Sequence, residues 1–300
     1  MLKTIAVAVL PALLLLFSAG VQVHAQESDT ESIYSAVYDA LNQGDVDGAL
    51  EHFAEDAVST RLPPPPGTDT TSIGPEAIRQ VFDPLVAQGG HWTLSDFHVH
   101  GDAATFTAHF QMDDIFAGQG VYPLEFYGTA IIQDDLIRSE SWSMNPNSLS
   151  RIQRAATLQA NKDLVRRFYD NFWNEGDMAA ADEIVAVDFI DRFTGQDGSD
   201  ALKDIVGIFH AAFPDFQVAY TDMMAEDDVV VVSVEAAGTY AGGAPEFLGI
   251  PDSVIGERVI IFSGVDFARI EDGQIAEGWG THDVLRTLTG YGYEVVPPIE

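Results

Sequence analysis

The chain contains no cysteine and only three lysines in its 300 residues. Without cysteine it cannot form disulfide bonds, use a thiol nucleophile, bind metal through thiolates or carry a lipid on an N-terminal cysteine. The shortage of cations leaves 14 basic against 47 acidic residues, a net charge of −33 at pH 7. This charge repels nucleic acids and anionic lipids, so we expect neither as a partner.

The acidic excess has two possible origins. Salt screens the repulsion between like charges, so adaptation to a salty environment is one hypothesis, and an ordinary acidic exported protein is the other. Unfolding curves at low and high salt separate them. Stability that falls as the salt concentration rises would exclude salt adaptation.

The sequence has one long apolar run, Ile5–Phe17, and it follows Lys3. A short apolar run behind a positive charge, followed by Val23-His24-Ala25, is typical of a signal peptide cleaved before Gln26. The run is shorter than the ~20 residues that span a bilayer, although an uncleaved anchor is the alternative. We therefore predict a signal peptide over residues 1–25, a secreted or periplasmic location, and no membrane association after cleavage.

Two stretches of the remaining sequence are alike. Tyr38–Asp45 resembles Tyr169–Asp177, which has one extra residue, and both end in Asn-x-Gly-Asp. Each is followed by a second helical pattern, a third helix that opens after glycine, and a strand carrying Glu-x-Trp, namely Glu140-Ser141-Trp142 and Glu277-Gly278-Trp279. The same landmarks in the same order, at nearly constant spacing, indicate a duplicated domain.

Each copy is predicted to consist of three helices and then four strands. The second helix is expected over Asp47–Ala57 and again over Ala179–Asp188. Alternating apolar residues and tight turns predict strands over Trp92–His100, Ala103–Met112, Tyr122–Gln133 and Leu136–Ser143, and over Gln217–Met224, Val229–Tyr240, Arg258–Ile270 and Gln274–Thr281. Helices on one face of a bent antiparallel sheet give an α+β fold.

The segment between the copies contains Asn145-Pro146-Asn147-Ser148, which we expect to interrupt regular structure. We predict domains over residues 26–146 and 158–300, joined by a linker over residues 147–157. The proline run Pro63–Pro66 is predicted to form an exposed rigid loop inside the first copy.

The second copy resembles the SnoaL-like polyketide (ester) cyclases, a family of the NTF2-like superfamily, over about Ala160–Leu288. The motifs that carry the resemblance are Asn161-Lys162, Phe168-Tyr169, Trp173-Asn174-x-Gly176-Asp177, Ala212-Phe213-Pro214-Asp215, Phe247-x-Gly249-Ile250-Pro251 and Asp266–Trp279. The first copy shows only the general NTF2-like pattern. The resemblance implies cone-shaped domains, each with one deep pocket, and acid–base chemistry by an acidic residue with no metal or organic cofactor.

Hairpin parity places the candidate acids. If Asp272-Gly273 is a two-residue turn, Ile270 pairs with Ile275 and Asp266 with Trp279. One face then carries Asp266, Glu277, Trp279 and Asp283, and His282 lies on the other face unless a bulge intervenes.

An acid in an apolar pocket has a raised pKa and suits proton abstraction beside a carbonyl. Asp266 is therefore the first candidate as general base, Asp283 the second as acid or orienting group, and His282 a proton relay if the parity is reversed. The candidate substrate-binding residues are Tyr169, Trp173, Phe247, Glu277 and Trp279. Structural alternatives are ion pairing of Asp266 with an arginine, helix capping by Asp283, and tryptophans that belong to the core.

The sequence departs from the antibiotic-biosynthesis cyclases. The resemblance places their catalytic aspartate at about Gly280 and a histidine near Asp266, so their ring closure does not transfer directly. We expect the second copy to be a cofactor-independent acid–base catalyst of cyclisation, isomerisation or hydrolysis on a small apolar carbonyl compound. The alternative is a non-catalytic small-molecule-binding or interaction protein. The two copies are expected to pair within the chain as a pseudo-dimer, or the chain to form a homodimer.

Overall fold

The computed structural model describes residues 30–296 except 114, 115, 117, 118, 194, 196, 245 and 295, and it leaves the side chain of Phe247 undescribed. The predicted signal peptide therefore lies outside the described residues. The chain divides into two compact units between Ala155 and Ala156. Within the described residues, no helix combines the length and the apolar character needed to cross a membrane.

The first unit packs three helices against a six-stranded sheet. Its elements are α1 (residues 30–42), α2 (Val46–Leu50), β1 (Phe53–Leu62), β2 (Thr71–Ile73), α3 (Pro75–Ala87), β3 (His91–His100), β4 (Ala103–Gln111), β5 (Leu124–Gln133) and β6 (Leu136–Met144). The strand order is β2-β1-β6-β5-β4-β3. Strands β3 to β6 form the predicted antiparallel meander, and β1 runs parallel to β6.

The second unit repeats this design with five strands. Its elements are the part of α4 (Pro146–Arg167) from Ala156 onward, a π-helix (Phe168–Asn174), α5 (Met178–Ile184), β7 (Val185–Asp191), α6 (Ser199–Ala212), β8 (Gln217–Glu226), β9 (Val229–Thr239), two 3-10 turns (Glu246–Leu248 and Asp252–Val254), β10 (Arg258–Glu271), β11 (Gln274–His282) and α7 (Val284–Gly290). The strand order is β7-β11-β10-β9-β8. The α+β fold with helices against a bent antiparallel sheet, present twice, is confirmed.

The repeated Asn-x-Gly-Asp motif performs the same three tasks in both units. Asn42 exchanges two hydrogen bonds of 2.8 Å with the backbone of β3, Gly44 turns the chain with φ +82°, and the Asp45 carboxylate caps α2. The second unit repeats these contacts, with β8 as the strand, through Asn174, Gly176 and Asp177. The motif therefore ties the first helix of each unit to the first strand of its meander.

The extra residue of the second copy is accommodated in the π-helix. A π-turn holds one more residue than an α-turn, as the hydrogen bond from Glu175 N to Asp170 O at 3.2 Å shows. The insertion is therefore absorbed locally, and Asn174 keeps the contact with β8 that Asn42 makes with β3. Such single-turn bulges are often found at functional sites.

The predicted second helices are wrong in their C-terminal halves. Helix α2 ends at Leu50 and α5 at Ile184, and the chain continues directly into β1 and β7. Both strands pair in parallel with the last strand of their own sheet. This partner lies far along the chain, so local helical spacing does not reveal it.

The predicted irregular linker is also wrong, because residues 147–157 are helical and belong to α4. Asn145 caps this helix by accepting from the Asn147 backbone at 2.8 Å, and Pro146 occupies its first turn. Proline is favoured there because its fixed φ suits a helix and its missing N–H is not needed. Asn-Pro therefore starts a helix at this position.

Candidate active site

The second unit encloses a cavity of about 180 Å³ between its helices and its sheet. Aromatic and aliphatic side chains form most of the wall, including Phe168, Phe189, Leu202, Ile205 and Phe209. The polar side chains that line it are few: Tyr169, Trp173, Asp191, Asp266 and His282. An apolar cavity with a small number of convergent polar groups is the usual form of a small-molecule site.

Asp266 and His282 form a hydrogen-bonded pair in the cavity wall. Asp266 Oδ1 lies 2.8 Å from His282 Nε2, and the side chains are 15% and 22% exposed. With an ionised carboxylate and a neutral imidazole, Nε2–H is the donor of this contact and Nδ1 is the acceptor of the ring. The pair can therefore accept or release a proton.

The second oxygen of Asp266 is held by Tyr169. The phenol donates to Asp266 Oδ2 at 2.9 Å. Burial and then the nearby Asp266 carboxylate raise the pKa of Tyr169 well above 10, so the phenol keeps its proton and remains a donor. Because Tyr169 lies in the π-helix, the local insertion and the polar cluster occupy the same turn.

Two phenylalanines hold the imidazole of His282 in place. Its ring stacks between Phe193 and Phe262, with both ring centroids at 4.9 Å. The backbone of β10 approaches closely beneath it, since a Cβ added at Gly264 would lie 2.9 Å from His282 Cδ2. The ring therefore has little freedom to turn away from Asp266.

A β-bulge decides which side chains face the cavity. The predicted pair Ile270–Ile275 is confirmed, but the register shifts at the next pair, and Asp266 lies opposite Gly280 instead of Trp279. The bulge reverses the predicted parity, so His282 shares the face of Asp266.

The side chains of Glu277 and Trp279 lie outside the cavity, contrary to the predicted common face with Asp266. Glu277 pairs with Arg192 and, at 3.1 Å, with Arg269. Trp279 stacks on Phe267 with ring centroids 5.3 Å apart. Of the other predicted substrate-binding residues, Tyr169 and Trp173 line the cavity, and the side chain of Phe247 lies outside what the structure describes.

Asp283 caps α7 and is absent from the cavity lining. Its Oδ1 accepts from the Arg286 backbone at 2.9 Å. Asp283 therefore has the capping role that the sequence offered as the structural alternative, and it does not join Asp266 and His282 in the cavity wall.

We expect Asp283→Ala to lower the free energy of unfolding by about 1 kcal/mol, the usual cost of a lost N-cap. Chemical denaturation of the variant measures this change. A variant of full stability would show that the cap contributes nothing.

Gly280 has no side chain, and this leaves room for the carboxylate of Asp266. A Cβ at this position would lie 2.8 Å from Asp266 Oδ1 and from Phe193 Cζ, and closer still to the Val265 carbonyl oxygen. We expect Gly280→Ala to reduce stability by about 1–3 kcal/mol through overpacking and to displace the carboxylate. Denaturation and ligand binding measure both effects. Gly207→Ala, with nothing within 4 Å of its added Cβ, is the matched control and should fold normally.

Sequence reasoning missed several wall residues. Phe193 follows the end of β7, and Leu248 belongs to a 3-10 turn. Neither position has a periodic pattern that predicts a direction for its side chain. Phe262 and Asp191 lie in strands, where the alternation of side chains between the two faces is a signal that could have predicted their direction.

Two family profiles match the chain. The profile described as SnoaL-like polyketide cyclase matches residues 163–290, and the profile described as SnoaL-like domain matches residues 34–140. The chain belongs to the SnoaL-like family. No curated protein matches its sequence.

Three known structures each match slightly less than half of the chain. TsrD from Streptomyces laurentii is 23% identical, with 45% of this chain and 96% of that chain covered and a TM-score of 0.40. A protein from Jannaschia sp. CCS1 assigned as a SnoaL-like polyketide cyclase is 25% identical, with coverage of 47% and 95% and a TM-score of 0.38. An NTF2-like protein of unknown function from Cytophaga hutchinsonii is 14% identical, with coverage of 40% and 94% and a TM-score of 0.32.

The two SnoaL-like domains carry different polar groups on the equivalent hairpin. The last turns pair Gln133 with Leu136 and Glu271 with Gln274, and the same bulge follows in both. Counting from these turns, the first SnoaL-like domain has Gly128 at the position of Asp266 and Met144 at that of His282. Its Glu140 corresponds to Gly278 and not, as the Glu-x-Trp similarity suggested, to Glu277. The Asp266–His282 pair is therefore a feature of the second SnoaL-like domain.

The described residues contain no group of three His, Asp or Glu side chains arranged to bind a metal ion. The polar groups of the second cavity are a carboxylate, an imidazole, a phenol and an indole, beside the separate carboxylate of Asp191. These side chains can themselves transfer protons and donate hydrogen bonds.

Proposed function

We propose that the second SnoaL-like domain is a cofactor-independent acid–base catalyst that acts on a small apolar carbonyl compound by cyclisation, isomerisation or hydrolysis. The observation that carries the proposal is the 2.8 Å contact between Asp266 and His282 in the wall of a mainly apolar cavity. Membership of the SnoaL-like polyketide cyclases supports the same class of chemistry.

The Asp266–His282 pair takes the proton from the carbon beside the carbonyl group. The hydrogen bond joins the carboxylate to the imidazole, so both side chains contribute to the base. The hydrogen bond from Tyr169 fixes the carboxylate, and the stacked phenylalanines fix the imidazole. This preorganisation lowers the cost of reaching the reactive geometry.

Trp173 supplies a hydrogen-bond donor for the carbonyl oxygen. Its indole Nε1 is buried and has no hydrogen-bond partner in the part of the chain that the structure describes, and the residue lines the cavity. A buried donor without an acceptor costs free energy, which a bound carbonyl oxygen would recover. A donor at that oxygen stabilises the negative charge that develops when the proton leaves.

The test uses the full chain and 2-tetralone, a small apolar ketone. Exchange of its α-protons for deuterium from D2O, followed by NMR, measures proton abstraction without knowledge of the natural substrate. We expect wild type to exchange well above the buffer rate and Trp173→Phe to lose about tenfold or more. Stabilisation of the protein by 2-tetralone and related ketones without any exchange would favour the binding-only function.

We also propose that the protein is exported, on the strength of Lys3 and the apolar run Ile5–Phe17. Expression of the complete chain in a Gram-negative bacterium, followed by N-terminal sequencing, tests this. A mature protein that begins at Gln26 in the periplasm or medium is expected. A cytoplasmic protein that keeps Met1 would reject export while leaving the proposed chemistry untouched.

A further inference from the structure

The first SnoaL-like domain encloses a cavity of its own, of about 290 Å³. Its wall is aromatic and aliphatic apart from Arg61, the one charged residue among those that line it within the described chain. We propose that this cavity is a separate, non-catalytic binding site for a neutral apolar compound with a carbonyl oxygen, and that Arg61 donates to that oxygen.

Arg61 is held firmly but is incompletely hydrogen-bonded. Its Nη2 lies 2.9 Å from Glu140 Oε1, and its guanidinium carbon lies 5.3 Å from the ring centre of Phe82 and 5.4 Å from that of Trp142. The side chain is only 12% exposed. Nη1 is buried and finds no acceptor anywhere in the described residues.

A buried guanidinium N–H without an acceptor is unusual in a folded protein, because it costs folding free energy. Buried polar groups are nearly always paired, and an exception calls for a missing partner. The aromatic rings stabilise the charge of the cation but do not accept a directed hydrogen bond from Nη1 as an oxygen does. A ligand oxygen that enters the cavity would provide the acceptor, because Arg61 belongs to its wall.

The charge balance favours a neutral ligand over an anion. Glu140 is fully buried and already neutralises Arg61 at hydrogen-bond distance. A carboxylate in the cavity would add an unmatched negative charge to an apolar site, in a protein whose net charge is −33. A carbonyl oxygen takes the hydrogen bond without this penalty.

The proline run gives the cavity a stiff rim. Pro63–Pro66 follow Arg61 closely and contribute to the wall, whereas the sequence predicted only an exposed rigid loop. Proline has little conformational freedom to lose, so this part of the wall is already in place before a ligand binds. The proline run thus forms one side of the proposed binding site.

The experiment follows tryptophan emission in the full chain. The protein has four tryptophans, and Trp173→Phe with Trp279→Phe leaves only Trp92 and Trp142, both of which line the first cavity. The probe is 2-acetylnaphthalene, compared with 2-ethylnaphthalene, which lacks the oxygen, and with 2-naphthoate, which is an anion. We expect saturable quenching by the ketone and at least about tenfold weaker binding of the naphthoate.

The donor is tested by removing the ion pair as a unit. Arg61→Met with Glu140→Gln avoids a buried unpaired charge, and Arg61→Lys keeps a cation while removing the second donor. Either variant, once circular dichroism shows that it is folded, should bind the ketone about tenfold more weakly and 2-ethylnaphthalene unchanged. Arg138→Met is the control, because the ion pairs of Arg138 within the described residues, with Asp56 and Asp134, are exposed.

Four results would overturn the proposal. They are no saturable quenching by the ketone, naphthoate binding as tight as the ketone, unchanged ketone affinity in both folded Arg61 variants, or an equal loss in Arg138→Met. None of them bears on proton transfer in the second SnoaL-like domain, which is measured separately.

Discussion

Asp266→Asn is expected to slow deuterium exchange into 2-tetralone by at least about a hundredfold, the usual contribution of a general base. Asparagine matches the shape of aspartate but has no basic oxygen. It also presents an amide donor where Tyr169 and His282 both donate. The measurement is the NMR exchange rate, accompanied by the affinity for 2-tetralone, which should change much less than the rate.

The chain offers a matched control for this substitution. Tyr220 donates to Asp170 at 3.0 Å on the surface of the same domain, much as Tyr169 donates to Asp266. We expect Asp170→Asn to exchange at the wild-type rate. His282→Gln should fall as far as Asp266→Asn if the two residues act as a pair. Full activity in both Asp266→Asn and His282→Gln would remove the proposed base.

Glu140→Gln is expected to lower the free energy of unfolding of the first SnoaL-like domain by about 3–5 kcal/mol, the cost of leaving one partner of a buried ion pair uncompensated. The carboxylate accepts from the phenol of Tyr34 at 2.6 Å, from Ser59 at 2.7 Å and from Arg61 at 2.9 Å. The tyrosine hydroxyl of Tyr38 and the indole of Trp142 lie at 3.2 Å. Chemical denaturation followed by Trp92 and Trp142 emission measures the loss.

The same residue predicts acid sensitivity. Burial opposes the charged form of Glu140, but the Arg61 guanidinium and the surrounding donors outweigh it and lower the pKa below its ordinary value of 4.5. A carboxyl with a lowered pKa contributes stability above its unfolded-state value, and this is lost as the pH falls through the folded-state value. The difference between wild type and Glu140→Gln should therefore be largest near pH 7 and shrink below about pH 4.5.

Glu76→Gln provides the comparison for both measurements. Glu76 contacts Arg79 at 3.8 Å on the surface of the same domain, with 84% of its side chain exposed. An exposed pair of this kind contributes little, so its removal should leave stability nearly unchanged. If Glu140→Gln were equally mild, the buried cluster would not be a stabilising centre of the domain.

The strands of the meander were predictable because their signal is local. Along β9, every second side chain from Val230 to Ala236 is buried, and the polar residues Ser233 and Glu235 mark the alternate positions in the sequence. The parallel strands β1 and β7 were not predictable in this way, because their pairing partners lie far along the chain. The prediction of a break at Asn145-Pro146 was wrong for another reason, because the same dipeptide can end one element or begin the next.

The sequence named Asp266, His282 and Tyr169 as candidates but did not predict how the three side chains contact one another. Asp266 was selected because an acid in an apolar pocket suits proton transfer, and it does line the cavity. The bulge that brings His282 to its side depends on one unpaired residue, which leaves no trace in the alternation of apolar residues. Tyr169 was expected to contact substrate, but its hydroxyl is committed to Asp266.

The π-helix has a consequence for how the two domains diverged. A substitution alters one side chain, whereas the insertion of one codon in this turn changes which positions can reach the cavity. The contacts of Asn174 with β8 and of Asp177 with α5 are kept. The coding length between the tyrosine and the Asn-x-Gly-Asp motif thus distinguishes the two copies independently of the identity of the residues. In related genes with the same duplication, this length is a heritable mark by which a copy with the Tyr169 arrangement can be sorted from one without it.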